Sequence, residues 1–226
     1  MSNARLCTYC PNPATTEDDV PPKCLFAKPP PSPSALIKVP SCKPCNNGAS
    51  KDDEYFMVRL VLNREITHPE ALAVRQTAIR ALGRLKASGF RAEFLGTVED
   101  EEVLTPAGLY TLRNVVTYKA KTERLSNVLR RVTLGLRYHE TKQRWEPGET
   151  VLPVVPGAIQ VDGTRDKLIK DARQLRRLGN SGATARNVLT YWWAPVAGTD
   201  GSAWLLRFYE GLEFMTYISK SQAQVG

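Results

Sequence analysis

The sequence predicts an α+β protein in which a small cysteine-bearing module precedes a larger α+β domain that ends in an antiparallel β-meander. Three observations support this fold class. Two Cys-x-x-Cys pairs lie near the start, apolar residues recur at helical spacing in the middle, and β-rich segments crowd the end. We place the cysteine module at residues 1–56 and the basic α+β domain at residues 57–226.

The cysteine pairs are Cys7 with Cys10 and Cys42 with Cys45, and 31 residues lie between them. Each pair offers two thiolates from one tight turn, and four thiolates form the closed ligand set of a structural zinc site. Disulfides or free thiols are the alternatives. We favour structural Zn²⁺, because two independent pairs of this kind seldom arise by chance.

The rest of the module offers few regular elements. Three successive prolines within Phe26–Ser34 predict an exposed, extended loop. A short strand follows over Ala35–Val39 and leads into the second cysteine pair. Ser50 is a candidate helix cap with acidic residues directly after it, and the helix should continue to Leu62.

The larger domain begins with a predominantly helical pattern. Helices are predicted from Pro69, over Thr122–Tyr138 and over Arg165–Leu178. The first has apolar residues at near-helical spacing: Leu72, Ile79, Leu82 and Leu85. The second should bury an apolar face: Leu125, Val128, Leu129, Val132 and Leu136. Two strands, Phe90–Val98 and Leu109–Tyr118, should flank an acidic turn at Glu99–Glu102.

The C-terminal third changes to a β pattern. Three aromatic and β-branched segments predict a meander: Asn187–Pro195, Ala203–Tyr209 and Leu212–Ser219. Gly179–Gly182 reads as a turn before it. Six aromatic side chains should fill its core, with base stacking as the alternative: Trp192, Trp193, Trp204, Phe208, Tyr209 and Phe214.

Charge and hydropathy favour a cytoplasmic, nucleic-acid-binding protein. The net charge is +8. Residues 1–54 hold six basic and six acidic side chains, so the whole excess lies in the larger domain. Basic excess favours polyanions through counterion release. No apolar run reaches the ~18 residues of a membrane span, and the first ten residues lack the apolar core of a secretion signal.

The helix predicted over Arg165–Leu178 carries the densest basic cluster. Its five cations are Lys167, Lys170, Arg173, Arg176 and Arg177. Such a face is ordinarily solvated, and the functional alternative is a ridge that contacts nucleic-acid phosphates.

The sequence around the cysteines resembles the HNH family of nucleases, also called His-Me finger or ββα-metal nucleases. The resemblance rests on the cysteine frame, on Asp18-Asp19-Val20-Pro21-Pro22 between the pairs and on Asn46 directly after Cys45, and it covers about residues 5–55. It implies that Asp18 and Asn46 hold a divalent ion, Mg²⁺ or Mn²⁺, that stabilises a scissile phosphate. The family's general-base histidine position is occupied by Asp19.

The Asp19 departure bears directly on catalysis. A carboxyl group has a reference pKa of ~3.9 against ~6.5 for histidine, so it is a poorer proton acceptor. The carboxylate is also shorter than an imidazole and adds negative charge beside a phosphate. The chain has two histidines, His68 and His139, and both lie outside the module. The general base is therefore either weak or absent.

Three functions fit these features. The first is an HNH-type, metal-dependent DNA endonuclease weakened by loss of its histidine, with Asp18, Asp19 and Asn46 at its centre. The second is a catalytically inactive nucleic-acid-binding protein of the same fold. The third is a protein-interaction subunit of a larger assembly, with the zinc module as a structural cap. The first two imply nucleic acid, DNA foremost, as the partner.

Overall fold

The computed structural model describes residues 5–63, 66–82, 92, 98–101, 115–118, 120–154 and 164–220. The chain divides into two compact units, Met1–Arg75 with Thr122–Gly226, and Gln76–Lys121. The cysteine pairs and the C-terminal strands therefore lie in the same unit, and the division does not coincide with the predicted boundary at residue 56. Independent folding of residues 1–56 stays a prediction.

The cysteine module contains a two-stranded hairpin and two helices. Strands β1 (Thr16–Val20) and β2 (Ile37–Ser41) pair antiparallel. The short helix α1 (Lys43–Asn47) follows, and then α2 (Ser50–Val61). The predicted strand at 35–39 is displaced by two residues, and the predicted helix at 50–62 is confirmed. Its predicted serine cap is wrong, because Ala49 occupies the N-cap position.

The proline-rich loop is less exposed than predicted. Phe26 is 4% exposed and Pro31 is buried. The Glu70 carboxylate accepts a hydrogen bond from the Ala27 N–H at 2.7 Å and pairs with Arg186 at 2.7 Å. Contacts with distant parts of the chain therefore hold this segment in place.

Helix α3 (Pro69–Leu82) begins at Pro69, as predicted. Its buried residues include Ala71 and Val74, whereas Leu72 is 41% exposed and Ile79 is 54% exposed. The leucine and isoleucine spacing thus did not identify the buried face. Leu85 lies outside the described residues.

A small antiparallel pair forms in the second unit. Strand β3 (Val98–Glu101) pairs with β4 (Val115–Tyr118). The predicted acidic turn is wrong for residues 99–101, because they belong to β3. Residues 90, 91, 93–97 and 109–114 of the predicted strands lie outside the described part of the chain.

A five-stranded antiparallel sheet forms the body of the larger unit. Its strands in spatial order are β5 (Glu149–Val154), β9 (Leu212–Lys220), β8 (Ser202–Phe208), β7 (Leu189–Pro195) and β6 (Asn180–Ala183). The predicted meander is confirmed as β7–β8–β9. The turn predicted at Gly179–Gly182 is wrong, because Asn180–Ala183 pairs with β7.

One long helix covers each face of this sheet. In α4 (Thr122–Thr141) all five predicted inward residues are buried, and Thr133 Oγ1 lies 2.8 Å from Thr216 Oγ1 on β9. Helix α5 (Thr164–Leu178) packs Ala172 and Leu175 against a cluster that contains Met215. Since neighbouring residues of a strand point to opposite faces, α4 and α5 lie on opposite sides of the sheet.

Most of the predicted aromatic core is confirmed. Trp204, Phe208, Tyr209 and Phe214 are buried, while Trp192 and Trp193 are half-buried. In the part of the chain that the structure describes, every helix is too short or too polar to traverse a bilayer.

Candidate functional site

The thiols of the two cysteine pairs converge on one point. The four Sγ atoms all lie within 4.8 Å of one another. The Sγ atom of Cys10 lies 3.6 Å from those of Cys42 and Cys45. Four sulfurs bound tetrahedrally at ~2.3 Å from one zinc ion are about 3.8 Å apart. The four cysteines, all outside disulfides, can therefore hold one metal ion such as zinc.

Backbone hydrogen bonds fold each pair into a tight turn. The Cys7 N–H donates to the Asn12 carbonyl at 2.8 Å, and the Tyr9 N–H donates to Cys7 Sγ at 3.4 Å. In the second pair, the Asn46 N–H donates to the Cys42 carbonyl at 3.0 Å and starts helix α1. Each turn thus presents its two sulfurs to the same side.

The thiols differ in their readiness to ionise. Burial opposes ionisation of Cys42, but hydrogen bonds from the Cys45 backbone and from neighbouring thiols outweigh it and lower the pKa of Cys42 to about 7. Burial and the same thiol contacts raise the pKa of Cys45. Cys42 therefore forms the thiolate, which is the metal-binding form of cysteine, more readily than Cys45 does.

The segment after α4 fastens the first cysteine turn to the sheet unit. Arg144 Nη1 donates to the carbonyls of Cys7 and Cys10, at 3.3 and 3.4 Å. The Trp145 N–H donates to the Thr8 carbonyl at 2.8 Å. The metal-binding turn is therefore continuous with the larger fold.

Asp18 lies on the inward side of β1 and is 6% exposed. Its Oδ2 accepts a hydrogen bond from the Tyr9 hydroxyl at 2.8 Å and another from Arg131 Nε on α4 at 3.2 Å. Burial, followed by the Asp18 charge, raises the pKa of Tyr9 well above its usual value, so this hydroxyl stays protonated as a donor.

Arg131 joins Asp18 to a second carboxylate. Its two terminal nitrogens donate to the two oxygens of Asp53 on α2, at 3.0 and 3.2 Å. Burial disfavours the charged guanidinium, but Asp18 and Asp53 outweigh it and raise the pKa of Arg131. We call Tyr9, Asp18, Arg131 and Asp53 the arginine network. It places one fixed positive charge between the buried carboxylate of Asp18 and the partly buried carboxylate of Asp53.

The remaining two residues of the predicted catalytic set face elsewhere. Asp19 is adjacent to Asp18 on β1, so its side chain points to the opposite face of the hairpin. Burial raises the pKa of Asp19, against the opposing charges of Lys38 and Lys23. The Asn46 amide donates to the Glu17 carbonyl at 2.9 Å, which ties α1 to β1.

The predicted divalent-metal site would join Asp18 on β1 to Asn46 on α1. Among the residues that the structure describes, the cysteine quartet is the one group of three or more His, Cys, Asp or Glu side chains close enough to share an ion. A site at Asp18 and Asn46 for Mg²⁺ or Mn²⁺ stays a prediction. His68 accepts a hydrogen bond from the Glu70 N–H at the start of α3, and His139 is exposed.

The five predicted cations of α5 fall into two groups. Lys167 pairs with Asp171 at 2.8 Å, and Arg176 pairs with Glu213 on β9. Lys170, Arg173 and Arg177 are exposed and form no ion pair within residues 5–63, 66–82, 120–154 and 164–220. They follow one another at i, i+3 and i+7, which places them on one face of the helix. We call these three residues the cation row.

Sequence reasoning missed the arginine network, although a signal was present. Four residues of α4 recur at i, i+4, i+7 and i+11 and so share one stripe: Arg124, Val128, Arg131 and Gly135. Arg124 pairs with Asp52 at 2.8 Å. A methyl group added at Gly135 would lie 2.5 Å from Val20 Cγ2, so β1 approaches the helix closely there. Two arginines and a glycine on one stripe of α4 were therefore a signal that another secondary-structure element packs against this face.

Comparisons with protein-family models, with curated proteins and with solved structures found no match.

Proposed function

We propose that this protein binds nucleic acid through α5 and that its cysteine module is a zinc-held scaffold that does not hydrolyse the bound strand. The observation that carries the proposal is the ion pair of Asp18 with Arg131 at 3.2 Å. In the HNH family that the module resembles, the matching acid serves a catalytic metal. Here a guanidinium already neutralises that acid.

The energetics favour keeping this ion pair closed. The side chains of Asp18, Arg131 and Asp53 are 7%, 14% and 16% exposed. Removing one member of a buried ion pair leaves an uncompensated charge and costs about 3–5 kcal/mol. A divalent ion at Asp18 would have to displace the arginine or share the carboxylate with it. Asp19 adds little, since a carboxylate is a weak base and points to the other face.

Zinc is the metal that this thiolate quartet fits. Zinc takes four sulfur ligands in a closed tetrahedron, which leaves no coordination position for water or substrate. Its role is then structural. It holds together a hairpin and two turns that bury few apolar side chains of their own.

The cation row supplies the binding surface. Lys170, Arg173 and Arg177 project from one face of α5 and have no carboxylate partner among residues 164–220. Unpaired cations release condensed counterions when they meet phosphates, which drives nucleic-acid binding. Three such contacts give a slope of log K against log salt of about −2.7 for duplex DNA.

Two measurements on one preparation test the proposal. Supercoiled plasmid with Mg²⁺ or Mn²⁺ should stay intact, and labelled oligonucleotides should bind with an affinity that falls as salt rises. Reversing the charge of two cations, Arg173→Glu with Arg177→Glu, should weaken binding at least tenfold. Plasmid nicking that is lost in the Asp18→Asn variant would contradict the scaffold role. Binding unchanged by the charge reversal would show that the cation row is only a solvated face.

A further inference from the structure

A cavity of about 460 Å³ lies along one flank of α5. This volume falls within the ~300–1,000 Å³ range of small-ligand pockets. The helix lines the cavity with residues at i, i+4, i+7 and i+11, which form one stripe: Lys167, Asp171, Gln174 and Leu178. Strand residues close the other side, among them Ala203 and Tyr217.

The cavity stripe is directly beside the cation row. Gln174 follows Lys170 by four residues and precedes Arg177 by three, so it is a surface neighbour of both. At ~1.5 Å per residue, the row from Lys170 to Arg177 is about 10 Å long. That is the axial length of about three nucleotides of one strand.

The lining combines an aromatic ring, an apolar rim and polar edges. The Tyr217 hydroxyl donates to Asp171 Oδ2 at 3.1 Å, and the Lys167 ammonium lies 5.9 Å from the centre of the Tyr217 ring. Leu178 at the rim is 66% exposed. Within the described part of the chain the Gln174 amide has no hydrogen-bond partner, so it can both donate to and accept from a ligand.

We infer that the preferred ligand is a single-stranded nucleic acid, with its phosphates on the cation row and one unstacked base in the cavity. This inference rests on the proposed function and names its substrate class. A base in single-stranded nucleic acid can leave its neighbours, stack on an aromatic side chain and bond through its edges. The bases of a duplex are paired and stacked, so none of them can enter the cavity without first leaving its pair.

Fluorescence anisotropy with three ligands of equal length tests this. They are an intact single strand, its duplex, and the same strand with every base removed, which keeps the phosphates. The intact strand should bind about tenfold more tightly than the other two, the order of effect that stacking one base contributes. Leu178→Ala and Gln174→Ala should each lower single-strand affinity and leave duplex affinity unchanged. Leu152→Ala is the matched control, since Leu152 is 52% exposed on β5 and does not line the cavity.

The outcomes separate the two proposals. Equal affinity for the intact strand, the base-free strand and the duplex would overturn the cavity inference and leave nucleic-acid binding standing. An equal loss in Leu178→Ala and Leu152→Ala would also overturn it. Failure of all three ligands to bind would overturn the proposed function as well. Melting temperatures of the variants confirm that each is folded.

Discussion

Helices α4 and α5 are both rich in arginine and cover opposite faces of one sheet, but they differ in how many of their cations are paired. Three of the four α4 arginines, Arg124, Arg131 and Arg137, each contact a carboxylate, at 2.8, 3.0 and 2.7 Å respectively. The fourth, Arg130, donates to the Val151 carbonyl at 3.1 Å. The cation row of α5 faces solvent without an acidic partner in the described chain. Arginines of α4 are therefore structural, whereas Arg173 and Arg177 of α5 are not engaged by a described carboxylate, unlike Arg176 on the same helix.

The difference comes from what packs against each helix. The cysteine module lies on α4 and brings Asp18, Asp52 and Asp53 to its arginines. Among the elements that the structure describes, none brings a carboxylate to the cation row, so its charges stay uncompensated there. We expect substitutions on α4 to change stability and substitutions on α5 to change affinity.

The largest effect should follow loss of the metal. Structural zinc contributes roughly 10–16 kcal/mol in small zinc modules. Chelation, or Cys42→Ser, should therefore unfold the cysteine module and remove the stripe of contacts on α4. Circular dichroism and tryptophan fluorescence measure this. Trp145 is a suitable reporter, because its backbone N–H donates a hydrogen bond to the Thr8 carbonyl in the cysteine module. Cys24→Ser is the control, since Cys24 lies outside the quartet and serine keeps a donor for the Asp53 carbonyl that the thiol contacts. This variant should melt like the native protein. Identical melting with and without chelator would contradict the role of the metal.

The next largest effect should come from the arginine network. Arg131→Ala leaves the carboxylates of Asp18 and Asp53, which are 7% and 16% exposed, without their cation. We expect a loss of about 3–5 kcal/mol in the free energy of unfolding. Urea titration measures it. Should Arg131→Ala cost less than 1 kcal/mol, the network would not be holding the module on α4.

A smaller, pH-dependent effect should come from Glu149. Burial opposes its ionisation, but hydrogen bonds from Arg137 and from the Glu146 backbone lower its pKa in the folded state. The stabilisation that ionised Glu149 gives the folded state is therefore fully present above the unfolded pKa of ~4.3. It is lost as the pH falls through the lower pKa of the folded state. In urea titrations at a series of pH values, the free energy of unfolding of Glu149→Gln should fall less steeply at acid pH than that of the native protein. Glu146→Gln, at an exposed pair with Lys220, is the control and should keep the native pH dependence.

The smallest stability effect should come from the cation row. Arg173→Ala removes an exposed side chain with no ion pair among residues 164–220, so its unfolding free energy should stay within about 0.5 kcal/mol of native. The same variant should bind nucleic acid more weakly. A large loss of stability here would erase the contrast between the two helices.

Local patterns foretold much of this fold, and long-range partners account for the misses. Residues close together in the sequence are enough to predict three features: the cysteine pairs, the start of α3 at Pro69 and the apolar face of α4. Strand β6 reads as a turn because Asn180 and Gly182 favour turns, and it becomes a strand only by pairing with β7. The Asp18–Arg131 pair spans 113 positions, so the local stripe on α4 marks a surface that another element contacts but does not identify Asp18 as the acid that reaches it.

The most direct test follows binding and strand length together in one sample of native protein, labelled oligonucleotide and Mg²⁺. We predict a rise in anisotropy that salt reverses, with the oligonucleotide recovered at full length. Recovery of shortened strands, or anisotropy that never rises at low salt, would contradict the account.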